Sequence, residues 1–306
     1  MKQSLIIALL GLQGLAVAQK DSVRQSAQFP SPMVDTVRKH ERIQQRVFTG
    51  LNFILQSALP KPVEVFIPQR STEAKECVLL IHFLGANYVV QYAAEQFKGD
   101  IVTAFVHLGA GSKINGQAFE DSTRFATLLD SIKLTSRTYL NHELKIRKVV
   151  LSGFSAGYGA IRQILSTQAN YDRVDAVLLL DGIHASYVPE RKLLADGGRI
   201  DSTHAESFLK LAQDASGSES RKQFLITHSE IFPGTYASTT ESTDYILRNL
   251  NCKREPVLEW GPLGMQQLSS AWCNHFKVMG FAGNTAQDHV DHVQALYHFF
   301  GVLMTL

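Results

Sequence analysis

Cysteine is scarce: Cys77, Cys252 and Cys273 are the only three in 306 residues. No Cys/His spacing among them matches a zinc site, so no metal is expected. Charge of one sign is equally scarce. The formal net charge is +2, and no basic stripe interleaved with aromatics runs through the chain. Nucleic acid is therefore excluded as an expected partner. After the first twenty residues there is no long apolar run, so the mature chain is expected to lack a membrane span. Internal repeats are absent as well. What is present is ordinary for a globular protein, with 45% hydrophobic and 19% charged residues. That length suffices for one large domain. Nothing in the composition sets an oligomeric state.

The N-terminus has its own pattern. Lys2 supplies a positive start, Leu5 to Leu12 an apolar core, and Ala16-Val17-Ala18 a small-x-small cleavage site. Residues 1–18 read as a secretory signal peptide, which implies an exported, periplasmic or secreted protein. Residues 19–47 read as a linker followed by a short helix over Val34 to Val47. Residues 48–306 read as one domain. An oxidising compartment permits one disulfide. Cys252 with Cys273 is the favoured pair, against three unpaired buried thiols.

Strand-like and helix-like segments alternate along nearly the whole domain. Phe48 to Leu55 and Val63 to Pro68 open a sheet. Cys77 to His82, Ile101 to Leu108, Lys148 to Leu151, Val174 to Leu180, Gln223 to Thr227 and Phe276 to Phe281 are apolar runs suited to strands covered on both faces. Between them, Phe125, Leu128, Leu129 and Ile132 recur at helical spacing. Thr240 to Leu250 reads as a helix with Thr239 or Thr240 near its cap, and Asp288 opens a last helix through Met304. This alternation predicts an α/β fold, a mostly parallel sheet with helices on both faces.

One stretch carries chemistry. The strand Val149-Val150-Leu151 runs into Gly153-Phe154-Ser155-Ala156-Gly157, with helix-compatible sequence after it. A serine on such a strand-to-helix turn is held out from the sheet as a nucleophile. A serine hydroxyl needs a base. The loop Gly283 to His292 offers His289, favoured for its place at a loop-to-helix junction, and His292 one turn on. The base needs a carboxylate to fix its tautomer. Asp181, at the mouth of a very apolar strand, is modestly favoured over Glu230, which follows the next strand. Two N–H groups must hold an oxyanion. Ala156 follows the serine, and Leu84 lies in the turn His82-Phe83-Leu84-Gly85. Tyr158, Tyr187, Phe232 and Tyr236 are aromatic candidates for lining a pocket, while His184, His204 and His228 read as loop histidines.

On Gly153-Phe154-Ser155-Ala156-Gly157, the His82 to Gly85 turn and Asp288-His289, the chain resembles the α/β-hydrolase superfamily over about residues 48 to 306. The resemblance implies an eight-stranded, mostly parallel sheet and a Ser/acid/His triad. It also implies cofactor-free hydrolysis of an ester, thioester or amide, with a small-molecule acyl substrate as partner. A carboxylic ester is the expected bond. A peptidase or a catalytically inactive binding module of the same fold is the alternative.

Overall fold

A computed structural model describes residues 42–306. The expected signal peptide and most of the linker lie outside the described residues. In chain order the strands are β1 (Gly50–Leu55), β2 (Val63–Pro68), β3 (Glu76–Phe83), β4 (Ile101–Val106), β5 (Lys145–Phe154), β6 (Ala176–Leu180), β7 (Tyr187–Val188), β8 (Arg199–Ile200), β9 (Gln223–His228), β10 (Arg254–Trp260), β11 (Gln266–Cys273) and β12 (Phe276–Phe281). The helices are α1 (Asn87–Gln96), α2 (Ser112–Gln117), α3 (Arg124–Leu140), α4 (Tyr158–Leu165), α5 (Gln168–Arg173), α6 (Ser202–Ser216), α7 (Thr239–Leu250), α8 (Ala286–Gln294) and α9 (Leu296–Leu303).

Ten strands form one sheet in the order β1-β2-β4-β3-β5-β6-β9-β12-β11-β10. The six in the middle, β4 to β12, pair in parallel. Antiparallel pairs close both edges. The expected α/β class with a mostly parallel sheet is the class observed, but the count of eight strands is too low. The hairpin of β10 and β11 extends the sheet beyond β12 by two strands. β10 is largely exposed and β11 is half-buried with polar residues interleaved, so they lack the continuous apolar runs that mark buried strands in a sequence.

Strand periodicity divides the core into two layers. Leu79, Ile81 and Phe83 of β3 face the layer of Phe125, Leu128 and Phe208, while Val78 and Leu80 face the layer of Val89, Phe299 and Phe300. Each such buried side chain contributes about 1.5–3 kcal/mol. The two layers fix the sheet, and the sheet fixes where its strands end.

Three expectations change at the margins. Residues 42–48 form no helix. Arg42 instead pairs with the buried Asp291 at 2.9 Å, and the Ile43 N–H donates to the Gln294 side chain, so this backbone is tied to α8 rather than to itself. The cap of α7 is Ser238, in a reciprocal capping box with Glu241. The single last helix is two, α8 and α9, meeting at Ala295. Cys252 and Cys273 are bonded, and Cys77 is buried and free. Among the described residues no helix is long and apolar enough to cross a membrane.

Candidate active site

The polar residues gather where the parallel strands end, the edge at which open α/β sheets hold ligands. β5 ends at Phe154, and Ser155 follows with φ 48°. Such a left-handed serine is strained backbone, held by its surroundings. The surroundings are close: a Cβ on Gly157 would collide with the Phe83 carbonyl, and one on Gly182 with the Ser155 backbone. The glycines therefore let the turns after β3 and β6 press against the elbow from both sides. One tight turn later the chain enters α4.

Asp181 follows β6, also with positive φ (44°), and is 4% exposed. Its carboxylate is fully engaged. The Ser229 N–H donates to Oδ1 at 3.0 Å, the Ser229 hydroxyl donates to Oδ2 at 2.6 Å, and His289 Nδ1 donates to Oδ2 at 2.7 Å. Burial alone would raise the pKa of this carboxyl. The His289 hydrogen bond, the nearby His292 and His289 rings and the Ser229 hydroxyl outweigh burial and hold it well below the usual carboxylate range.

His289 sits in the first turns of α8, whose start is fixed by Thr285 and Asp288 in a reciprocal capping box. Its ring lies on Phe154, the residue before Ser155, with centroids 4.5 Å apart. Because a carboxylate only accepts, Nδ1 carries the hydrogen, and a neutral ring then has its lone pair on Nε2. His289 is a quarter exposed. Among the described residues the Ser155 hydroxyl makes no hydrogen bond, so the contact between Ser155 and His289 is not closed.

The alternates stand elsewhere. His292 is 1% exposed, packed near Phe281 and Phe299, with Nδ1 2.8 Å from the Thr227 hydroxyl. Glu230 fastens the loop before α8: its N–H donates to the Gly283 carbonyl, and its carboxylate accepts the Gly283 N–H at 3.0 Å. The structure thus brings Asp181 to His289 and keeps Glu230 from it.

Of the two expected oxyanion donors, Ala156 follows Ser155 at the head of the turn. Leu84 requires correction. Its N–H donates to the Val106 carbonyl at 3.0 Å, and β3 lies between β4 and β5. The Leu84 amide therefore points toward β4, away from Ser155. The chain reverses at Leu84 (φ 67°) and Gly85 (φ 123°), which makes Gly85 the next amide of that turn.

A pocket of about 360 Å³ opens beside Ser155 and Ala156. Tyr158 and Tyr236 line it, as do His184 and His204, which read as loop histidines in the sequence. Burial lowers the pKa of His184, and its Nδ1 donates to the Ala237 carbonyl. Tyr187 instead donates to Glu241, and Phe232 lines a separate pocket with His228 and Arg254. Among the described residues no three His, Cys, Asp or Glu side chains meet as metal ligands would. Ser229 and Arg162, also at this site, left no signal in the sequence. A serine after a strand and an arginine late in a helix are too common to single out.

No family model matches the chain, and no curated protein matches it. Solved structures do. An S-formylglutathione hydrolase from Agrobacterium tumefaciens is 12% identical, with 86% of this chain and 98% of that one covered at a TM-score of 0.47. An acetyl xylan esterase from Aspergillus awamori is 15% identical, covering 82% of this chain and all of that one at 0.44. An α/β hydrolase fold protein of unknown function is 14% identical, covering 86% and 98% at 0.43. The chain is similar to these in its sheet and helices. What the site can do rests on its own geometry.

Proposed function

We propose that the chain is an exported serine hydrolase of the α/β-hydrolase type that cleaves carboxylic esters. One observation carries this reading: a buried carboxylate holds His289 through Nδ1 beside a left-handed serine on a strand-to-helix turn.

In this reading the Ser155 oxygen attacks the ester carbonyl carbon, and its proton passes to His289 Nε2. Asp181 keeps the ring in the required tautomer and stabilises the imidazolium. The Ala156 N–H, with a second donor from the turn after β3, receives the developing oxyanion. The carbonyl re-forms, and the alcohol leaves with the proton from His289. Water then adds to the acyl-enzyme with His289 again as base, freeing the acid. Ser155 and His289 must close onto each other for this step, and catalytic hydrogen bonds are commonly long before a substrate is bound. The Cys252–Cys273 bond supports export, since such bonds persist in oxidising compartments.

Short p-nitrophenyl esters and a fluorophosphonate probe test the reading. Wild-type protein is expected to hydrolyse the esters and to label. Ser155→Ala should lose the label and at least ~10⁴-fold in kcat. Undiminished hydrolysis by Ser155→Ala would overturn the assignment, and a wild type that neither labels nor hydrolyses would favour an inactive binding module.

A further inference from the structure

We propose that the pocket beside Ser155 receives the carboxylate of an anionic ester, with Arg162 as its counter-charge and His204 as a second donor. The proposal rests on the serine hydrolase reading for the bond that is cleaved. It adds the substrate class.

Ser155, Tyr158 and Arg162 are spaced three and four residues apart through the elbow and α4, which brings all three to one face. They line the same pocket. The Arg162 guanidinium lies 5.6 Å from the centre of the Tyr158 ring, which is itself buried. Arginine in the last turn of a helix commonly serves only the helix dipole and solvent. Here the side chain is only partly exposed and turned to a concave surface. Among the described residues Arg162 makes no ion pair. Asp201, whose charge acts on both Arg162 and His204, is held at the cap of α6 by the Thr203 N–H at 3.0 Å and the Thr203 hydroxyl at 2.6 Å and makes no ion pair with Arg162.

His204 gives the second donor by elimination. Its Nδ1 lies 3.1 Å from the Ser186 N–H. A backbone N–H can only donate, so Nδ1 presents a lone pair and the ring hydrogen sits on Nε2. His204 lines the pocket together with Ser112 and Ser186, whose hydroxyls can also donate. His184 is the opposite case. Its Nδ1–H is given to the Ala237 carbonyl, so its Nε2 accepts and would repel an anion. The pocket thus offers an anion the Arg162 guanidinium and the His204 Nε2–H, while His184 presents an acceptor. It holds one permanent cation, which matches a single negative charge better than a phosphate dianion. A planar guanidinium fork suits a carboxylate.

The test compares monoethyl dicarboxylates, from glutarate to suberate, with ethyl alkanoates of equal length by pH-stat at low salt. A calorimetric titration of monoethyl adipate into Ser155→Ala accompanies it. Wild type is expected to favour the best anionic ester over its neutral match in kcat/KM by about tenfold or more, the range of a charge-assisted hydrogen bond. Arg162→Gln should bring that ratio close to one, and Arg162→Lys should keep part of it. Equal losses on both ester series in Arg162→Gln, or a wild-type preference for neutral esters, would overturn the proposal. Calorimetry separates its failure from that of the serine reading. If wild type hydrolyses nothing, yet monoethyl adipate binds Ser155→Ala and fails to bind the Ser155→Ala/Arg162→Gln double variant, the anion site stands and the serine assignment falls. Absence of binding to Ser155→Ala overturns the anion site whatever the hydrolysis shows.

Discussion

His289 and His292 lie one turn apart on the same helix, and the structure gives them opposite surroundings. His289 stands at the rim of the sheet, partly open, and shares a buried carboxylate. His292 lies in the core among phenylalanines and shares a threonine hydroxyl. Two further histidines belong to the deeper set: His82 lies 3.0 Å from the Ser152 hydroxyl, and His228 accepts from Arg254. The two sets differ in depth as well as in partner: His82, His228 and His292 are 5% exposed or less, while His289 is partly open and hydrogen-bonds a carboxylate. A carboxylate stabilises the imidazolium that a general base must become, whereas a hydroxyl or a guanidinium gives no such help. In the proposed reading the rim takes up the proton, whereas burial disfavours the charged form of His82 and His228.

The largest effects should separate the two regions on activity. Asp181→Asn is expected to lower kcat by about 10⁴-fold, because an amide in that place selects the wrong tautomer. His289→Ala should fall as far. His292→Ala should instead lower stability by about 2–4 kcal/mol through a core cavity and an unpaired Thr227 hydroxyl. Its kcat per folded molecule should stay within about tenfold of wild type. Glu230→Gln should also stay within about tenfold, since a glutamine oxygen can still accept from the Gly283 N–H. Kinetics on short esters, beside urea unfolding of each variant, check this ordering. A loss in kcat for His292→Ala as large as that for His289→Ala would erase the distinction.

Acid unfolding should separate them next. Burial pushes His82 and His228 down to about 4, with Arg254 adding to the effect on His228. Both are neutral when folded, while the unfolded chain takes up protons below about 6.5. Stability therefore falls as the pH drops from about 6.5 to 4, by up to roughly 3 kcal/mol for each ring. Asp181 acts in a lower window. Its folded pKa is depressed, so its contribution is complete above the unfolded carboxylate value near 4 and is lost as pH falls below that. Urea unfolding across pH 7 to 3 should show two successive declines. His228→Gln should flatten the first, and Asp181→Asn should flatten only the second. A flattened first decline in Asp181→Asn would contradict the separation.

Much of the rim could be read in the sequence, and little of what supports it. Ser155 was legible because Gly-x-Ser-x-Gly is a local pattern whose turn is set by neighbouring residues. Asp181 and His289 were legible as candidates because strand ends and a loop before the last helix are recognisable places. Choosing between Asp181 and Glu230 required a contact across 108 positions, His289 to Asp181, which no local pattern encodes. The Leu84 amide failed as an expectation for a related reason. Which neighbour a strand-end N–H serves depends on strand order, and β3 lies between β4 and β5. Ser229 escaped notice because its part is defined entirely by the carboxylate it holds. The two added edge strands escaped because partly exposed antiparallel strands lack a strong apolar signal.

The smallest effect on turnover should come from the Cys252–Cys273 bond, and it tests how far the rim is insulated. The bond joins the chain before β10 to the end of β11, 21 residues apart. Cys273 pairs with Phe276 at the start of β12, whereas the rim lies past the other end of that strand, at Gly283. Closing a loop of this length constrains the unfolded chain by about 3 kcal/mol. The replacement Cys252→Ser/Cys273→Ser should therefore lower the melting temperature while the folded protein keeps wild-type kcat. The parallel strands β9 and β12 hold Ser229 and the His289 loop in place, and the outer hairpin pairs with the opposite edge of β12. A melting temperature that falls with kcat unchanged would place the bond in the scaffold alone. A drop in kcat at temperatures where the variant is fully folded would mean that strain at the far edge of the sheet reaches the Asp181–His289 pair through β12.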